Sequence, residues 1–244
     1  MDFISDLHLA PELPRTVAAW RAYLVRTHAD AVVILGDLFE VWVGDDAATL
    51  PFEAACVSAL ADASRRRPVY VMRGNRDFLL GAAFFAATAA TDLPDPVVLH
   101  APGCGDSPVL LSHGDAWCLA DEPYQRFRAQ VRTPAWQAAF LSRPLPERLA
   151  LAAQMRAASR EHQHGHGPSA YADVDTATAL AWLGAVKART LIHGHTHRPG
   201  TEALADGTVR HVLSDWDADG PGAARGEVLR WSAGGFRRLL PEQA

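Results

Sequence analysis

Residues 31–40 read AVVILGDLFE, five apolar positions followed without a break by a glycine and a carboxylate. An apolar run of that length, rich in β-branched residues and bounded by glycine, reads as a strand buried on both faces. Asp37 then stands in the loop just beyond it. The pattern recurs along the chain. FIS (3–5) leads into Asp6-Leu7-His8, and VYVM (69–72) leads toward Gly74-Asn75-Arg76-Asp77. VLLS (109–112) leads into His113-Gly114-Asp115, and TLI (190–192) into His193-Gly194-His195-Thr196-His197. Loops after the carboxyl ends of strands are where α/β sheets gather their sites. Five such loops can converge on one spot.

Working outward, β-rich runs predict strands at Phe3–Ser5, Ala31–Leu35, Val69–Met72, Val97–Leu99, Val109–Leu111, Thr190–Ile192 and Val209–Leu213. Helical periodicity fills 14–29, 50–66, 78–90, 122–164 and 170–187. This alternation predicts a layered α/β core. Pro134, Pro144 and Pro146 divide 122–164 into two or three helices. There Leu145, Leu149, Ala152 and Met155 share one helical stripe, with Arg148, Arg156 and Arg160 expected elsewhere on the surface. Such a segment is either an amphipathic helix packed on the core or a basic, apolar lid over an anionic amphiphile or a membrane surface.

A chain of 244 residues with 49% hydrophobic and 21% charged residues can bury one large α/β core and carry a small insertion. It has no apolar run of about 18 residues, as a spanning helix requires, and MDFISDLHL lacks the basic start of a secretory signal. Cys56, Cys104 and Cys118 are scattered and fit a reducing cytoplasm rather than a disulfide framework. A net charge of −5 argues against a nucleic-acid binder. Between Pro123 and Arg160, however, seven arginines face one acid, Glu147, a local charge of about +6 that suggests an anionic partner there.

The five loops carry metal-type donors. Asp6 and His8 fall on one side, two residues apart; Asp37 has two oxygens and can bridge two cations; Asn75 offers a carbonyl oxygen; His113, His195 and His197 offer imidazole nitrogen. In the usual two-metal arrangement one cation takes Asp6, His8, Asp37 and His197, and the other Asp37, Asn75, His113 and His195. Mixed N/O donors without a thiolate suit Mn2+, Zn2+ or Fe2+. Two such ions about 3.5–4 Å apart can activate water and brace attacking and leaving oxygens. A lone Asp-x-His or His-x-His has a blander reading as a surface pair, and the flanking glycines as plain turns. All five pieces in this order, each behind an apolar strand, favour the metal site.

These blocks resemble the calcineurin-like metallophosphoesterase superfamily, whose pattern is DxH, GDxxD, GNH(D/E), H and GHxH. The resemblance implies two packed β-sheets flanked by helices, a four-layer αββα sandwich, here with a helical cap insertion over about 120–166 in a single domain. The chain departs from the pattern at Glu40, where the motif acid is often Asp, and at Arg76, where the usual residue is histidine. Arginine stays charged near neutral pH and cannot act as a general acid. It can grip a diphosphate and stabilise negative charge, which suits cleavage of an anhydride whose leaving phosphate needs no proton. The alternative for Arg76 is a surface ion pair with Asp77.

FISDLHL, ILGDLFEVWVGDD, GNRDFLLG, HGDAWCLADEPYQRFR, MRAASR and IHGHTHRP are similar to the UDP-2,3-diacylglucosamine pyrophosphatase family of lipid A synthesis, over nearly the whole chain. That resemblance implies water attack on the UMP-side phosphate, releasing UMP and 2,3-diacylglucosamine 1-phosphate. It also implies two Mn2+ ions and peripheral association with the cytoplasmic face of the inner membrane. By position, catalytic roles fall to Asp37, Asn75, Arg76 and His195, and substrate contacts to Asn75, Arg76, Asp121, Ser159 and His195. Gln163 and His166 stand where the family has Asn and Lys. His162, His164 and His166 read as a lid loop rather than a further metal site, and His193 as a residue behind the ligands or in the core. Two rivals remain: a general phosphodiesterase or nucleotide hydrolase of the same fold, and a phosphoesterase fold used as a binding scaffold.

Overall fold

The computed structural model describes residues 1–101, 103–104, 107–164 and 172–244, apart from the side chains of 158–164 and 206. The first sheet is assembled from β1 (Asp2–Ile4), β2 (Val32–Leu35), β3 (Val69–Met72), β4 (Thr91–Leu93), β10 (Val228–Ser232) and β11 (Gly235–Leu239), in the order β11-β10-β1-β2-β3-β4. β1 to β4 pair in parallel, while β10 and β11 add antiparallel strands at one edge. The second sheet contains β5 (Val97–Leu99), β6 (Val109–Ser112), β7 (Thr190–His193), β8 (Gly200–Ala203) and β9 (Val209–Val212), in the order β5-β6-β7-β9-β8. Its centre, β6-β7-β9, is parallel.

The two-residue period of a strand sends successive side chains to opposite cores. Val33, Leu35, Phe3 and Met72 meet Val109, Leu111, Ile192 and Leu213 between the sheets. Ile4, Val32, Ile34, Val69 and Val71 face the other way, against α1 (Pro14–Arg26), α2 (Pro51–Ser64) and α3 (Ala82–Thr88), which contribute Trp20, Tyr23, Leu60 and Phe84. Leu110 and Leu191 point out of the second sheet onto Ala179 and Leu183 of α7 (Thr176–Ala185). Helix, sheet, sheet, helix is the expected four-layer order. Each such fully buried aliphatic or aromatic side chain contributes about 1.5–3 kcal/mol.

Between β6 and β7 the chain runs through α4 (Glu122–Val131), α5 (Pro134–Leu141) and α6 (Leu145–His164). On α6, Leu145 and Leu149 pack against the α1–α3 core and Ala152 is buried in it, whereas Met155 is 39% exposed. The core-packing alternative describes three of the four stripe residues.

Several expectations need correction. Arg148 is not on the surface: it is 2% exposed, and its guanidinium donates to the carbonyls of Val43 (2.5 Å) and Arg143 (2.9 Å) and to the Asp46 carboxylate. The helix expected over 78–90 covers only Ala82–Thr88, because Asp45 accepts from the main-chain N–H groups of Gly81, Ala83 and Phe84 and so sets its start. The helix expected over 170–187 begins at Thr176, with the Asp175 side chain as its N-cap. Strands β4, β8, β10 and β11 were not expected. They are edge or antiparallel strands whose polar residues, such as Arg237 and Arg238, interrupt the apolar signal.

Candidate metal centre

All five donor-bearing loops leave the carboxyl ends of parallel strands, three in one sheet (β1, β2, β3) and two in the other (β6, β7). The loops are knitted together by main-chain bonds, Asp6 N–H to Gly36 O (3.1 Å), His8 N–H to Asp37 O (3.0 Å) and Gly194 N–H to His113 O (3.0 Å). Asp6, His8, Asp37, His195 and His197 all adopt positive φ, between 47° and 68°. That region costs a non-glycine residue of the order of 1–3 kcal/mol, and such strain gathers at functional sites. Gly36 (φ 88°) is required by space as well as conformation, because a Cβ there would strike the His113 ring and Gly74.

The structure brings the seven donors together. Candidate ligand atoms of Asp6, His8 and His197 lie within 4.8 Å of one another, as do those of Asp6, Asp37 and His113. His8 and His197 face each other with Nε2 atoms 3.2 Å apart, and His197 Nε2 is 3.5 Å from Asp6 Oδ1. On the other side Asn75 Oδ1 is 2.9 Å from both His113 Nε2 and His195 Nδ1. Asp37 stands between the halves, with Oδ2 3.9 Å from His8 Nε2 and Oδ1 3.7 Å from His113 Nε2.

This donor set fits divalent cations. His113 Nδ1 lies 2.9 Å from the Leu35 carbonyl, so that nitrogen carries the proton it donates and Nε2 is left to face Asn75. Burial disfavours a charged His113, but Asp37, Asp6 and Asp115 outweigh it and push its pKa up to about 9. The pocket's negative field therefore calls for positive charge at this point. His195 behaves oppositely: burial, followed by the His113 charge, lowers it to about 4 and leaves a neutral imidazole with a lone pair to offer. Burial works against the Asp6 carboxylate, but His197, His113 and His8 hold its pKa below the usual range. No cysteine belongs to either donor group among the described residues. Hard N/O donors of this kind suit Mn2+, Zn2+ or Fe2+.

Two acids outside the expected set organise this centre. Asp77 is fully buried and accepts from Gly74 N–H (2.7 Å), Leu38 N–H (2.7 Å) and Phe39 N–H (3.4 Å), tying the Asn75 loop to the Asp37 loop. It therefore does not form the surface pair with Arg76. Instead Arg76 donates its main-chain N–H to Asp37 Oδ1 (2.8 Å), and its guanidinium lies 3.9 Å from Glu40. Glu40 also sits 3.1 Å from His8 Nδ1 and 3.5 Å from Arg156 of α6. Burial raises its pKa, but His8, Arg76 and Arg156 prevail and hold it down to about 2. The signal that marked these acids is their place inside GDLFE and GNRD.

Asp121 is half-buried and caps α4, accepting from Tyr124 N–H at 3.1 Å. The side chains of Ser159, His162, Gln163 and His164, and the whole of His166, lie outside the described residues. His193 is buried at the end of β7 with Nδ1 2.9 Å from the Gly194 carbonyl, and belongs to neither donor group.

Residues 2–199 match the family model of the calcineurin-like phosphoesterases. The chain is 46% identical to a UDP-2,3-diacylglucosamine hydrolase of Chromobacterium violaceum, over 97% of both chains. It is 43% identical to one of Stenotrophomonas maltophilia (96% of this chain, 95% of the relative) and 42% identical to one of Bordetella pertussis (92% and 88%).

Proposed function

The chain belongs to the calcineurin-like phosphoesterase family, and from that premise we propose that it hydrolyses the pyrophosphate of UDP-2,3-diacylglucosamine to UMP and 2,3-diacylglucosamine 1-phosphate. The near full-length likeness to hydrolases of that name supports the substrate. The observation that carries the chemistry is Asp37, which presents one oxygen to the His8 side and the other to the His113 side.

Asp6, His8, Asp37 and His197 would hold one cation, and Asp37, Asn75, His113 and His195 the other, with Mn2+ the ion we favour. When bound, the pair supplies Lewis-acid charge neutralisation and acidifies the attacking water. Arg76, held at the rim by its main-chain bond to Asp37, grips the diphosphate and stabilises charge on the departing phosphate. It transfers no proton, which matches an anhydride. Asn75 and His195 face the same phosphate; Asp121 and Ser159 contact the substrate further out.

Helices α4–α6 serve as the cap. Phe127, Leu141 and Met155 are 38–42% exposed there, an apolar surface for acyl chains or the membrane interface. The basic field is narrower than the arginine count suggests, since Arg148 is buried and Arg128, Arg132 and Arg156 are paired with acids. No helix among the described residues is long and apolar enough to cross a membrane. Peripheral binding at the cytoplasmic face of the inner membrane is part of this reading, and co-sedimentation with anionic vesicles should weaken as salt rises.

Incubation with synthetic UDP-2,3-diacylglucosamine in isotopically labelled water tests the function. UMP should form and carry the label. Label in the lipid phosphate, or turnover of bis(p-nitrophenyl) phosphate at matching rates, would reject the reading in favour of another attack site or a general phosphodiesterase. Arg76→Ala should keep metal binding and lose rate on the anhydride. Unchanged UDP-lipid cleavage by Arg76→His would overturn the leaving-group argument.

A further inference from the structure

Asp115 lies two residues beyond His113 with no exposed surface, and α4 converges on it. The Tyr124 hydroxyl donates to Asp115 Oδ2 at 2.5 Å, and Arg128 Nε donates to the same oxygen at 2.8 Å. Gln125 donates to the Asp115 main-chain carbonyl at 2.8 Å. Arg132 stands 3.7 Å from Asp115 Oδ2 and donates at 2.9 Å to the carbonyl of Gly74, the residue before Asn75. The Tyr124 ring also stacks on the His195 imidazole, with centroids 6.0 Å apart and planes inclined by 30°.

Helix α4 and its C-cap residue Arg132 thus touch the loops carrying Asn75, His113 and His195, the donors that belong to one half of the centre alone, and the last of these loops also carries His197 of the other half. Apart from the His195 N–H, the contacts around the other half come from elsewhere. Asp6 accepts from the Ser5 hydroxyl and the His195 N–H, His8 faces Glu40, and His197 faces Asp215. A buried carboxylate with several donors from one helix is a rigid peg, because loss of any donor leaves charge under-compensated in a dry site. Groups behind ligands orient them, and their removal weakens metal binding without touching the ion.

We propose that Asp115 and Tyr124 are positioning residues for one cation of the pair: α4, pegged on Asp115, holds Asn75, His113 and His195 in ligating geometry, while Asp6, His8 and His197 are coupled to it indirectly, through the His195 loop. The inference rests on the two-cation reading above. It makes docking of α4 and filling of one metal position a single coupled event.

The test is Mn2+ titration of the metal-stripped full chain by calorimetry, with electron paramagnetic resonance of the loaded protein. The unaltered chain should take up two Mn2+ ions with an exchange-coupled spectrum. Tyr124→Leu should weaken one binding event about tenfold to hundredfold, leave the other within about twofold, and replace the coupled spectrum by that of a single ion. Tyr124→Phe, which keeps the ring and loses the hydroxyl, should weaken the same event less. His8→Ala should weaken the opposite event. Equal weakening of both events by Tyr124→Leu, or of neither, would overturn the proposal. Uptake of one ion by the unaltered chain would instead overturn the two-cation reading. Should Tyr124→Leu fail to fold by circular dichroism, Tyr124→Phe and Arg128→Leu are judged by the same criterion.

Discussion

Arg148 offers a sharp stability test, because its partners differ in solvent access. Its side chain is 3% exposed, while that of Asp46 is 56% exposed. Arg148→Ala leaves the buried Val43 carbonyl without its guanidinium donor, at a cost of about 1–3 kcal/mol. It also deletes the packed methylene stem, at roughly 0.8 kcal/mol per methylene, or about 2 kcal/mol in all. Arg143 is exposed, so water can replace the donor at its carbonyl. The expected loss is therefore about 3–5 kcal/mol. Asp46→Asn removes only a solvent-screened ion pair and should cost about 1 kcal/mol or less. Urea unfolding with linear extrapolation measures both. A loss below about 1 kcal/mol for Arg148→Ala, or equal losses for the two variants, would refute the reasoning. The first would mean that water satisfies Val43, the second that the ion pair dominates.

Three further outcomes are expected. Asp37→Ala should lower Mn2+ uptake from two ions to one at most and bring hydrolysis to background, as read by elemental analysis and UMP release; near-normal turnover would reject the bridging role. His211, whose ring nitrogen lies 2.9 Å from the Thr201 hydroxyl, is lowered to about 4 by burial and by nearby Arg238. The unfolded chain binds a proton there near 6.5, so stability from this group is complete above that pH and declines as pH falls toward about 4. His211→Gln should flatten thermal unfolding across that window, and an unchanged slope would contradict the assignment. Burial pushes Cys56 and Cys118 up to about 12, whereas Cys104 is only half-buried. A thiol reagent at neutral pH should modify Cys104 alone in the folded protein and all three cysteines in denaturant.

The sequence by itself determined the central strands and the donor-bearing loops at their ends. VVIL at 32–35 and VYVM at 69–72 are legible because strands buried on both faces need unbroken apolar runs, a local property. The donors in Asp-x-His, Gly-Asp, Gly-Asn and His-x-His were legible for the same local reason, as was the departure at Arg76. Tertiary structure alone decided the rest. Asp6 and His197 are 191 positions apart, yet their side chains stand 3.5 Å from each other because β1 and β7 end at the same edge of two stacked sheets. Arg148 looked like surface charge by its spacing, and it is buried because Val43 and Asp46 wait for it on another loop. Glu40, Asp77 and Asp115 stood inside the motif blocks, but their partners were not legible there: they receive donors from distant loops and from α4 and α6. Strands β10 and β11 escaped notice because β10 becomes a strand by pairing with β1, a partner distant in sequence, and β11 by pairing with β10 at the sheet edge. Periodicity and donor type are carried by neighbours in sequence, whereas burial of a charge and the meeting of ligands depend on partners that only folding brings near.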